Sequence, residues 1–484
     1  MSLLPQPVEA SLPDYTASTP PPDYSAQVIE GEEVLAATHT PFSSSRNGTY
    51  SRSWNRGTDI RVVLRELVED STEEIPTYRQ RGLICGTIYQ GSVKNILQVS
   101  LKIEGKLKFS VFGNTSQTAT IKVVDESYEL WSKSNPQTGA SANPEEIDFS
   151  YVLPTTFRDG DRDIPMPPSH EISLSGLPGL ETQCSYALKI LVVSRGPLWN
   201  KKHSFIIPFR YRPRSTPSVP LVTNEGIRPG CPIFHATIKS APEVWFETLS
   251  ILQTKPASGL QPVEVQIFLP AARTFGLADT IPFHTQLTGT ATSIQKLYTL
   301  LSPLSASEEY RALQLTQTLS NQSTTGSISS IDSHGSKNSI TKSDSINDRN
   351  YIFFGVTITR QVCVEVKDQV VWKSYNIGRG TLFPIPPPFE LAMEDNPFYS
   401  DDAESVDSTK RIVNLDAAGE IRCQPDVDVG HFNVGGKVQV KDFMVIQIAP
   451  TKKSDNARSP FFPLKIAIPI SLVTDSWSEH PMIS

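Results

Sequence analysis

A chain of 484 residues with 44 Lys and Arg against 51 Asp and Glu carries a formal charge of −7. It lacks the concentrated positive charge on which general nucleic-acid binding depends. With 38% apolar and 20% charged residues it can build real cores, and its length predicts two or three folded units with room for unstructured segments.

Met1–Ala10 holds no basic stretch followed by an apolar run, so no secretory signal is expected. Residues 1–57 are rich in Ser, Thr and Pro with few regularly placed apolar residues. Such a segment cannot bury enough surface to offset its ordering entropy, and it reads as a disordered tail. Within it stand Pro21-Pro22-Asp23-Tyr24 and the weaker Leu12-Pro13-Asp14-Tyr15. Consecutive prolines hold a polyproline II backbone that docks in an aromatic groove at little further entropic cost, with the tyrosine filling an adjacent pocket.

From there the dominant period is two. Leu97–Val111 places Leu97, Val99, Leu101 and Ile103 on one face and Leu107, Phe109 and Val111 after Gly105, which predicts two half-buried strands around a glycine bend. Tyr186–Val192 and Ser204–Tyr211 follow as a hairpin with a polar turn around Gly196–Lys202. The same order recurs at Val438–Ile448 and Leu464–Val473. In both cases the second strand carries a proline, a residue that edges and bulges tolerate. Val263–Leu269 and Ile352–Val366 add further strands, while long amphipathic helical patterns are almost absent. Pro213–Pro220 is a short extended linker between the halves.

The expected fold is all-β: two tandem immunoglobulin-like sandwiches over 58–216 and 228–475, joined by 217–227 and followed by a short end, 476–484. A Ser-rich insertion, 316–350, and an acidic turn-rich loop, 394–408, interrupt the second. The Ser-rich insertion offers hydroxyls that a regulatory kinase would charge. In the loop Asn396-Pro397-Phe398-Tyr399 is a candidate sorting turn, competing with an ordinary turn closing a β connection. Arg210, Arg212 and Arg214 alternate near Lys201 and Lys202, a candidate contact for an acidic or phosphorylated cargo tail, or the wet face of a sheet.

No nucleophile-elbow, zincin, phosphate-loop or dinucleotide motif is present, and the eight histidines are dispersed. No catalytic residue, metal site or cofactor is therefore expected. The cysteines Cys85, Cys184, Cys231, Cys363 and Cys423 form no Cys-x-x-Cys pair and read as free thiols of a reducing compartment. The late apolar run 460–473 is broken by Lys465 and prolines and does not suit a membrane span.

Ile172–Pro217 (ISLSGLPGLETQCSYALKILVVSRGPLWNKKHSFIIPFRYRPRSTP) resembles the end of an arrestin amino-terminal domain of the fungal trafficking-adaptor type, and Leu83–Val111 resembles that domain's opening. Residues 228–475 resemble the carboxy-terminal domain. The resemblance rests on strand pattern and local phrasing. It implies a non-enzymatic, cytoplasmic adaptor recruited to plasma membrane or endosomes, touching membranes only through cargo. Such an adaptor holds cytoplasmic tails of membrane proteins and recruits a HECT-type ubiquitin ligase whose WW domains read Pro21, Pro22 and Tyr24, with Leu12, Pro13 and Tyr15 as a second contact. Here these motifs precede the body, whereas the family often carries them after it. The competing expectation is an arrestin-fold scaffold in signalling or vesicle sorting that recruits no ligase.

Overall fold

The computed structural model describes residues 48–54, 60–67, 75–90, 96–113, 115–134, 145–196, 199–221, 238, 241–301, 352–383, 411–451 and 456–477, with 48–54 and 66–67 described by backbone alone. The Pro-Pro-Asp-Tyr, Leu-Pro-Asp-Tyr and Asn-Pro-Phe-Tyr motifs, the Ser-rich insertion and the acidic loop lie outside these residues.

Strands account for 67% of the described residues, in large curled sheets that form an all-β sandwich fold. The first half contains β1 (Gly48–Trp54), β2 (Ile60–Leu67), β3 (Thr77–Tyr78), β4 (Leu83–Gln90), β5 (Ile96–Phe112), β6 (Gln117–Ser132), β7 (Glu146–Val152), β8 (Thr156–Asp159), β9 (Arg162–Pro165), β10 (His170–Leu174), β11 (Gly179–Ser194) and β12 (Lys201–Tyr211). One sheet runs β1-β2-β4-β7, so residues 48–54, expected within the disordered tail, instead form a strand whose backbone pairs with β2. The facing sheet runs β3-β12-β11-β5-β6 with β10 added along β11, and β8 and β9 form a separate hairpin. The second half contains β13 (Trp245–Leu252), β14 (Val263–Pro270), β15 (Thr274–Gly276), β16 (Ile281–Thr290), helix α1 (Ala291–Leu300), β17 (Ile352–Val366), β18 (Gln369–Leu382), β19 (Ile412–Cys423), β20 (Phe432–Val434), β21 (Val438–Pro450) and β22 (Leu464–Val473). Its single curled sheet runs β13-β14-β16-β19-β18-β17-β21-β22-β15, with β20 on β21.

Alternation explains why these segments are strands. In β17 Phe354, Val356, Ile358, Val362, Val364 and Val366 are buried, and in β22 so are Ile466, Ile468, Ile470 and Leu472. The prolines sit where a missing N–H is harmless. Pro208 pairs with Ala187 of β11, while β3 reaches only Arg210 and Tyr211 on the other side. Pro469 pairs with Phe443, and β15 begins its pairing only at Ser471.

The bend expected at Gly105 does not form. Residues 96–112 are one 17-residue strand, and the apolar alternation passes through the glycine without changing phase. Gly105 accommodates a neighbour instead: a β-carbon there would lie 2.6 Å from the Tyr186 ring. That ring is buried between Phe209 and Tyr211, and its hydroxyl donates to the Pro167 carbonyl at 2.6 Å. The irregularity sits in the pairing with β6, which shifts register between Gly105 and Lys106. Gly105→Ala is expected to cost about 1–3 kcal/mol through overpacking, measurable as a lower urea midpoint with unchanged slope.

Strand length then decides how the halves meet. β5, β6 and β11 have 17, 16 and 16 residues, whereas β2, β4 and β7 have 8, 8 and 7. At roughly 3.4 Å per residue the facing sheet covers about half of the long strands. The remainder is covered by the second half of the chain. Val362, Val364 and Val366 of β17, Val371 of β18, Val434, Val438 and Val440 join the same buried cluster as Leu107, Phe109 and Val111. The β17–β18 hairpin that enters this core turns on Lys367 and Asp368, both with positive φ (46° and 68°), in a two-residue connection whose twist matches its strands. A second cluster lies within the curled sheet and includes Ile294 and Leu297 of α1.

Candidate functional site

The end of β12 and the chain leaving it run along the seam between the two sheet systems and carry the three alternating arginines. Arg210 and Arg212 both approach the Asp428 carboxylate at 4.0 Å, and Arg212 also donates to the Asp428 carbonyl at 3.4 Å. Arg214 makes a two-pronged pair with Asp475, Nε at 3.1 Å and Nη2 at 2.7 Å. The backbone reinforces it: Ser215 N–H donates to Thr474 Oγ1 at 2.8 Å, and Asp475 N–H donates to the Ser215 carbonyl at 3.0 Å. The segment after β12 is thereby tied to the segment after β22. Burial works against the Asp475 carboxylate, but the Arg214 guanidinium and the Thr474 hydroxyl outweigh it and hold its pKa below the usual carboxylate range.

Two cavities of about 590 and 390 Å³ open along this seam and share Arg212, Gln424, Val427 and Asp428. Their walls hold Arg79, Arg210, Arg212, Arg214, Arg360 and Arg422 against Glu171, Asp426, Asp428 and Asp475. Arg360 is neutralised from behind by Asp442, its cross-strand neighbour, in a buried bidentate pair with Nε at 2.8 Å and Nη2 at 3.1 Å. The cleft is accordingly a nearly balanced zipper of opposite charges. An incoming anion that engages Arg210 and Arg212 has to displace Asp428.

His170 forms the floor on the β10 side. Its Nδ1 lies 2.9 Å from the Pro168 carbonyl, which only accepts, so Nδ1 carries the hydrogen and Nε2 accepts from the Thr182 hydroxyl at 3.0 Å. The ring lies 4.7 Å from Phe432 of β20, across the seam. Burial pushes its pKa down to about 4, against the pull of the Pro168 carbonyl and Asp428. At neutral pH the imidazole is uncharged. A second tie between the halves joins Lys437 to Asp159 at 2.6 Å, where a β-carbon on Gly435 would meet Ile164 at 2.7 Å.

The structure does not bring Lys201 and Lys202 to this site. They pair with Ser194 and Val193 at the opposite end of β12, about 30 Å from Arg210 at strand rise. A different basic group, not singled out in the sequence reading, lies on the solvent face of β5, β6 and β11. Lys189, Lys102 and Lys106 reach Glu104 at 2.6, 3.0 and 3.1 Å, and Lys102 and Lys122 reach Asp125 at 2.7 and 2.5 Å. Lys189 first, then Lys102 and Lys106, hold the Glu104 pKa down to about 2 against its burial. The alternation Lys102, Glu104, Lys106, Lys108 was readable on one strand. Its completion by Lys122 and Lys189 depends on strand pairing.

Among the described residues no three His, Cys, Asp or Glu side chains converge as a metal site, and no helix is long and apolar enough to cross a membrane. No protein-family model and no curated protein matches this chain.

Proposed function

We propose that this chain is an arrestin-like adaptor that links a membrane protein's cytoplasmic segment to a WW-domain HECT-type ubiquitin ligase. The observation that carries the reading is Pro21-Pro22-Asp23-Tyr24 set ahead of a large all-β body. The prolines and tyrosine supply the ligase contact, with Leu12-Pro13-Asp14-Tyr15 close enough to engage a second WW domain at high effective concentration. The seam supplies the cargo contact, where an acidic or phosphorylated segment takes Arg210 and Arg212 from Asp428. The working place of such a protein is the cytoplasmic face of the plasma membrane or endosomes.

The test is binding of the full chain to a tandem WW-domain array. Tyr24→Ala is expected to weaken it by about 30-fold, as loss of an aromatic anchor does. Undiminished binding by the Tyr24→Ala, Tyr15→Ala double variant would sink the reading. Deleting residues 1–47, which hold both motifs and end before β1, without changing turnover of a bound membrane protein would favour a scaffold that recruits no ligase.

A further inference from the structure

We infer that Trp199, between β11 and β12, and the adjoining ends of those strands form a membrane-contact element that seats on anionic lipid headgroups. Trp199 has 80% of its surface exposed. A β-carbon on Gly196 would lie 2.2 Å from the Trp199 carbonyl oxygen, so these two residues approach closely. An 11-residue strand on one side and a 16-residue strand on the other hold them at the end of a long hairpin.

The charges flanking the indole along the hairpin are of one sign. Ser194–His203 contains Arg195, Lys201 and Lys202 and no Asp or Glu. Lys201 lies opposite Ser194 and Lys202 opposite Val193, so the two ammonium groups leave opposite faces of the hairpin. Lys133, whose N–H donates to the Leu97 carbonyl at 3.0 Å, adds an exposed cation on the neighbouring strands at the same end. Glu129, the carboxylate nearest in register along β6, already accepts from Gln98 at 2.7 Å.

A lipid surface fits this chemistry better than a protein groove does. One large, exposed amphipathic ring is flanked in sequence by long cationic stems. Indole rings settle at the headgroup level, and juxtamembrane cations gain from an anionic leaflet within a Debye length. Contact of this kind is direct, where the sequence reading expected membranes to be reached only through cargo. It requires neither ligase nor cargo, so its failure and that of the adaptor reading are separable.

The test is co-sedimentation of the purified full chain with phosphatidylcholine vesicles and with equimolar phosphatidylcholine–phosphatidylserine vesicles at low salt. The wild type is expected to partition onto the anionic vesicles only. Trp199→Ala and the pair Lys201→Gln, Lys202→Gln should each lower that partition about tenfold. Lys106→Gln with Lys108→Gln, on the sheet face, should leave it unchanged. Absence of wild-type binding, an unaltered Trp199→Ala, or an equal loss from the sheet-face pair each overturns the inference. So does Trp199-dependent capture of a membrane protein's cytoplasmic peptide without vesicle binding.

Discussion

Asp442→Ala is expected to destabilise the folded protein by about 3–5 kcal/mol, the usual cost of breaking a buried pair from one side. Asp442 and Arg360 are both almost fully buried, and the bidentate geometry satisfies the guanidinium in place of water. Removing the carboxylate strands a cation beneath the seam, where neither sheet offers a second carboxylate in direct register. The double change Arg360→Met, Asp442→Leu removes both charges and keeps volume, and it should recover most of the loss. Chemical denaturation of the three proteins checks this. A single variant as stable as wild type, or a double variant no better than the single, would contradict the account. The pair also joins β17 to β21 at one register position, and β17 carries the valines that enter the first core.

The second large effect is a dependence on pH through His170. Its folded pKa, about 4, lies below the ordinary 6.5 because the ring is buried. Between these values the unfolded chain binds a proton that the folded protein refuses. Stability is therefore fully present above about pH 6.5 and declines as pH falls toward about 4. From about pH 7 to about pH 5 the expected loss is about 2 kcal/mol. His170→Gln keeps a donor for Pro168 and an acceptor for Thr182 but does not titrate, so its stability should be nearly flat across that window. The carboxylate Glu104, held down to about 2, loses its contribution only at lower pH, below its ordinary 4.5. Urea titrations across the window read the slope difference directly. Parallel slopes for the two proteins would remove His170 as the cause.

Much of the strand content was legible because half-buried strands write their burial as alternation. Ile352–Val366 and Leu464–Val473 emerge with the limits that pattern predicts. Gly105 shows how local signals mislead. Glycine is a good bend former in isolation, yet the apolar phase on both sides already pointed to one continuous strand, and Tyr186 supplied the reason for the missing side chain. The seam was less readable still. The arginines were visible as an alternating trio, but Asp428 lies 216 residues from Arg212 and Asp475 lies 261 from Arg214. No periodicity spans such separations. Lys201 and Lys202 were close to the arginines in sequence and are remote in space, because an extended strand moves the chain about 3.3 Å with every residue.

By itself the sequence determined the β character, the inward face of the long strands, the placement of prolines on open edges and the motifs ahead of the body. All of these follow from properties of neighbouring residues: side-chain alternation, a missing N–H, a stiff proline pair. Only the tertiary structure decided that Val362, Val364 and Val366 are buried in the core of the other half and that the arginines are met by aspartates. Those outcomes depend on which distant strand covers an apolar face left open by unequal strand lengths. Burial is indifferent to sequence separation, so an apolar valine states that it will be covered without stating by what.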